Sequence, residues 1–123
     1  MTGALAAIVG ASGVFVTGGT ASVSGVGPVA APGTSVANTG TASIGTVYNA
    51  VPTATYLWEH VSGDTATVNN PTSSSTTFTR SVSVLPGEFF TRSGIYRCKV
   101  TDGAGQVAYG PMCVVNTNHY DNT

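Results

Sequence analysis

The chain has 123 residues, with five acidic and four basic side chains and a net charge close to zero. A single domain of that length buries roughly two-thirds of its unfolded surface and needs no staple to hold a core. So few charges exclude the basic patch that nucleic-acid binding requires, and they leave a surface with little repulsion between copies, suited to being covered by neighbours.

The first charged side chain is Glu59. A signal peptide opens with Lys or Arg ahead of an apolar run, and "MTGALAAIVGASG" has neither residue. Its apolar run is also too short and too broken by glycine to span a bilayer. The expectation is a protein with no export signal and no membrane anchor, assembled in a reducing cytoplasm. Residues 1–37 are built of Gly, Ala, Ser, Thr and Val, with Gly10, Gly13, Gly18 and Gly19 interrupting any regular element. Gly27-Pro28 and Pro32-Gly33 punctuate the Val-alternating fragments that follow. Leu5, Ile8, Val9, Val14, Phe15 and Val16 are too apolar for a solvated linker. The segment therefore reads as an extended arm with one or two short strands, which anchors the protein or oligomerises it.

Residues 38–116 read as short strands between turn signals. "TASIGTVYNA" is a strand closed by "AVPT", and "TYLWEHV" places Tyr56, Trp58 and His60 on one face. "ATVNNP" and "STTFTRSVSV" are two further strand candidates, followed by the break "LPGE". "GIYRCKVT" alternates cleanly, with Tyr96, Cys98 and Val100 on one face and Ile95, Arg97, Lys99 and Thr101 on the wet one. "DGAG" turns the chain and "QVAYGPMCVV" returns it. Residues 117–123 form a polar tail. No segment has helical period and length, so the class is all-β, a two-sheet sandwich.

Little here speaks for chemistry. The chain lacks a G-x-S-x-G elbow, a phosphate-binding glycine loop and H-E-x-x-H. Glu59 and His60 are adjacent on a strand and point to opposite faces. His119 falls in the tail, Glu88 in a turn and Asp121 in the tail, with nothing to pair them. Two cysteines and two scattered histidines do not make a zinc site, and Asp64 and Asp102 read as turn residues rather than calcium ligands. No catalytic residue, metal or cofactor is expected. With the turn at 103–105, Cys98 lies opposite Tyr109 or Gly110, and Cys113 is then ~10 Å away at ~3.3 Å per residue. A disulfide needs Cα atoms ~4.4–6.8 Å apart, so two free, buried thiols are expected. Tyr48 and Tyr120 are candidates for surface contact.

"YLW" at 56–58 and "GIYRC" at 94–98 together resemble the Trp and Tyr-x-Cys of immunoglobulin-like domains. With "NNPTSSSTTFT" and "KVTDGAGQVA", the pattern resembles the PKD-like and immunoglobulin-like modules of bacteriophage structural proteins. The resemblance implies an antiparallel sandwich in which Trp58 plugs the core against Cys98 and the Tyr96 hydroxyl returns to a backbone carbonyl. Ile44 would stand where a cross-core cysteine usually sits. Arg92 replaces the acid that often opens the tyrosine corner. The implied function is a non-enzymatic virion protein, displayed on the tail tip or fibre apparatus and contacting other virion proteins as a homo-oligomer, with a further role at a host-surface glycan or protein. Capsid decoration and a bacterial surface or secreted adhesion module are the alternatives.

Overall fold

The protein is described by a computed structural model covering residues 13–29 and 33–121. It is all-β, with no helix among these residues. In chain order the strands are β1 (Phe15–Gly19), β2 (Ser22–Val29), β3 (Gly33–Asn38), β4 (Ala42–Tyr48), β5 (Thr55–Gly63), β6 (Thr67–Val68), β7 (Ser75–Thr76), β8 (Phe78–Val84), β9 (Phe89–Thr101), β10 (Val107–Tyr109) and β11 (Cys113–Asp121).

Thirteen-residue β9 organises the largest sheet. β5 runs antiparallel along one side of it; β11 and then β10 share the other, and β2 adds parallel to β11. The two smaller sheets run β1–β4–β7 and β3–β8–β6. Each ladder runs one bond further: Thr39 N–H donates to Phe78 O (2.9 Å) beyond β3–β8, and Ile44 N–H to Ser74 O (3.0 Å) beyond β4–β7. Val23, Ala42, Trp58, Phe78, Tyr96, Cys98, Cys113 and Val115 come from all three sheets and meet in one buried cluster, a sandwich-like core. The alternation read in "GIYRCKVT" is present: Tyr96, Cys98 and Val100 are buried and their neighbours are not.

The chain ahead of residue 38 departs from expectation. From Gly13 on it is no arm, since β1, β2 and β3 each pair within a sheet. Val14 is buried, Val16 is half-buried, and Phe15 stacks on Tyr48 at 4.9 Å between ring centroids. Leu5, Ile8 and Val9 lie outside the described residues. The glycines that read as breaks have a packing cause: a Cβ on Gly25 would strike the Asn38 carbonyl, and one on Gly27 would strike Ser35 Oγ. β2 crosses β3 so closely that only glycine fits.

The polar tail is likewise a strand. β11 continues its alternation through Thr117 and His119, both fully buried, as far as Asp121. Their polarity hid an inward row that carries on from Cys113 and Val115.

Candidate binding cleft and the polar interior beneath it

One face of β9 carries Phe90, exposed Arg92, and then the buried Gly94, Tyr96, Cys98 and Val100, and this composition divides the interior. On one side Trp58 packs edge-on to Phe78 (6.0 Å), and Phe78 leans on Tyr96 (5.0 Å). Trp58 and Cys98 are cross-strand partners, and Trp58 Nε1–H donates to Ser73 O at 2.8 Å. Ala42 is fully buried in this cluster and Ile44 packs at its edge. The Tyr96 hydroxyl accepts from Ala66 N–H (2.7 Å) and donates to Ala66 O (3.0 Å). It thus ties β9 to the start of β6, thirty residues upstream, rather than to the corner just before it.

Both cysteines are free and buried. Gly110 N–H donates to Cys98 O (2.9 Å), and Cys113 is opposite Tyr96. Burial pushes the Cys98 thiol up to about 11, and Cys113 moves in the same direction for the same reason. Protonated thiols inside a core are small apolar side chains, not nucleophiles.

On the other side of Gly94 the interior is polar. Arg80, on β8, is buried and lies over Gly94, where a Cβ would meet its Nη2 at 3.0 Å. Its Nε–H donates to Thr65 O (3.0 Å), Nη1 to Val115 O (2.7 Å), Thr117 Oγ1 (3.2 Å) and Arg92 O (3.3 Å), and Nη2 to Asp64 O (2.9 Å). Neutral carbonyls and a hydroxyl thus surround a cation. Burial pulls its pKa down, and the Asp64 charge only partly opposes this.

A hydrogen-bond chain leads from Arg80 to His119. Thr117 Oγ1 accepts from Arg80 and lies 2.9 Å from His119 Nε2; His119 Nδ1 lies 2.9 Å from Ser35 Oγ, which donates to Gly27 O. Because the Ser35 proton is used on Gly27, Nδ1 donates, and because burial and the nearby arginine charges disfavour a second ring proton, Nε2 accepts from Thr117. The imidazole is therefore neutral and of one tautomer. Burial lowers its pKa, and the Arg80 and Arg92 charges push it the same way. The Ser35 hydroxyl is fully buried and no carboxylate of a described residue backs His119, so the contact is not an activated nucleophile.

Above this interior opens a cleft of about 470 Å³. It is lined by the 64–67 turn, by residues 79–82 of β8 and by Arg92. Arg92 lies over the Phe90 ring, 4.5 Å from its centroid. Asp64 Oδ2 accepts from Ser93 N–H at 2.9 Å, so this carboxylate is held against β9. Among the described residues the ion pair is Arg97–Glu59 at 3.7 Å, and neither guanidinium of the cleft has a carboxylate in contact.

The other residues singled out in the sequence are scattered. Tyr48 is exposed against Phe15, and Tyr120 stacks on Phe89 at 6.3 Å on another sheet, so the two tyrosines form no common face. Asp102 is saturated: its carboxylate accepts from Val51 N–H, Ala104 N–H, Gln106 N–H and the Gln106 amide. The Val51 bond leads in holding its pKa down. No group of metal-binding side chains occurs among the described residues. The sequence reading missed Arg80 and Ser35 altogether. A basic residue inside the Thr/Val-rich strand "FTRSVSV" was the available signal.

No family model matches the chain, and no curated protein or solved structure is significantly similar to it.

Proposed function

We propose that the chain is a non-enzymatic structural module of a bacteriophage particle, an immunoglobulin-like sandwich displayed on the tail tip or fibre apparatus. The observation that carries this reading is the strand order. β5–β9–β11 with β2 parallel to β11, facing β1–β4 and β3–β8–β6, is the pairing expected of an immunoglobulin-like domain. The burial of Trp58, Cys98 and Tyr96 in one cluster supports the same reading. The near absence of charge and the exposed Phe15, Tyr48, Leu85 and Phe89 suit a surface that neighbours cover in an assembly. Anchoring falls to the uncharged segment ahead of Gly13, which holds Leu5, Ile8 and Val9.

Quantitative mass spectrometry of purified particles tests this. A handful of copies per particle supports the tail, hundreds would move the protein to the capsid surface, and absence from the particle overturns the reading. A bacterial surface adhesion module is the second reading, favoured by the cationic cleft.

A further inference from the structure

Buried cations are normally paired, because desolvation of a lone charge is costly. Arg80 is 4 % exposed and has no carboxylate of a described residue in contact. Its Nη2 donates to Asp64 O and carries a second N–H for which the described residues supply no acceptor. This incompletely compensated guanidinium lines an open cleft rather than a closed core. Arg92, the second cation of the cleft, lies over the Phe90 ring and forms no ion pair with a described residue. Thr65 and Thr67 are also among the lining residues, and neither hydroxyl is bonded to another described residue. Two guanidinium groups stand against one carboxylate, Asp64, which is itself held by Ser93 N–H.

We propose that this cleft is a binding site for a carboxylate group, with Arg92 and the residual Arg80 N–H as its donors and the free hydroxyls as secondary contacts. A planar guanidinium fork matches a carboxylate in shape and charge. Gly94 is the residue that permits the site, since a Cβ there would strike the Asp64 carbonyl and crowd Arg80 Nη2. A cleft of about 470 Å³ admits an acidic sugar as readily as an acidic side chain. The site stands on its own chemistry and survives if the particle assignment fails.

Amide chemical shifts of the full chain, followed by NMR during titration, test the site. The probes are glucuronate, N-acetylaspartate amide and, as the uncharged control, glucose. The expected result is a saturable shift confined to residues 64–67, 79–82 and 92 with the two acids, in the millimolar range (~1 mM), and none with glucose. The acid that binds tighter names the source of the carboxylate. Arg92→Gln, whose side chain supports only the Phe90 ring, should weaken binding about tenfold, and Arg92→Lys should restore part of it. Asp64→Asn keeps an acceptor for Ser93 and removes the repelling charge, so it should tighten binding. Both acids failing to saturate, glucose matching them, or a folded Arg92→Gln binding as well as the parent would each overturn the proposal.

Discussion

His119 Nδ1 and Ser35 Oγ lie 2.9 Å apart, both side chains fully buried, and join β11 to β3 across the sandwich. The pair is one link of the chain that runs from Arg80 through Thr117 and His119 to Ser35 and Gly27. The chain suits a neutral imidazole. Protonation would turn Nε2 into a donor, take from the Thr117 hydroxyl proton its acceptor and add a second cation to the site of Arg80.

Stability should therefore depend on pH through His119. The unfolded imidazole titrates near pH ~6.5, and the folded one lower. The unfolded state thus takes up the proton first. The contribution is complete above about pH 6.5 and is lost as pH falls from there toward the folded value. Urea unfolding at pH 7.5 and 5.5 should show the loss. His119→Asn, neutral throughout, should lower stability at pH 7.5 by about 1–3 kcal/mol and flatten the slope between the two. An unchanged slope would place the titration elsewhere.

Arg80→Met should be among the most damaging single changes, about 3 kcal/mol or more. It strands the buried Val115 carbonyl and the Thr117 hydroxyl, and releases the carbonyls of Asp64, Thr65 and Arg92. Equilibrium denaturation measures it. A loss below about 1 kcal/mol would mean that water replaces the guanidinium without difficulty.

Gly27→Ala should destabilise by about 1–3 kcal/mol, because the added Cβ meets Ser35 Oγ and the Val36–Ala37 backbone. The same substitution at Gly40 has open space around it and should cost much less. The difference between the two midpoints is the quantity to read. Equal midpoints would refute the close β2–β3 crossing.

Neither thiol should react with a water-soluble disulfide reagent in the native protein, and both should react once it is unfolded. Cys98 with a pKa of about 11 is almost wholly protonated at neutral pH, and both sulfurs are shielded in the core. Titration with and without denaturant counts them. A native thiol that reacts at once would contradict the packing around Trp58.

Much of the second half of the fold was legible because its alternation is apolar. Tyr96, Cys98 and Val100 announce their face by hydropathy alone, and "DGAG" fixes the hairpin register to within a residue. The polar half was not legible. Thr117 and His119 continue the inward row of β11, but they read as a solvated tail because the residue that satisfies them, Arg80, lies thirty-seven positions away from Thr117. The N-terminal strands were hidden by their glycines. Gly25 and Gly27 look like punctuation in one dimension, and only the crossing of β2 over β3 shows why no side chain is tolerated there. The cleft follows from both, since it needs a buried arginine and a glycine opposite it.

Native-state hydrogen exchange of the full chain, resolved by residue, tests the central structural claim most directly: residues from β1 to Asp121 form one cooperative sandwich held by packing and buried polar contacts. The ladder amides of β3 with β8, and those joining β2 to β11, should exchange only on global unfolding, with the same free energy as the β9 amides around Cys98. Fast exchange across β1, β2 and β3 against a protected β9 would contradict it, and would return those residues to a separate arm.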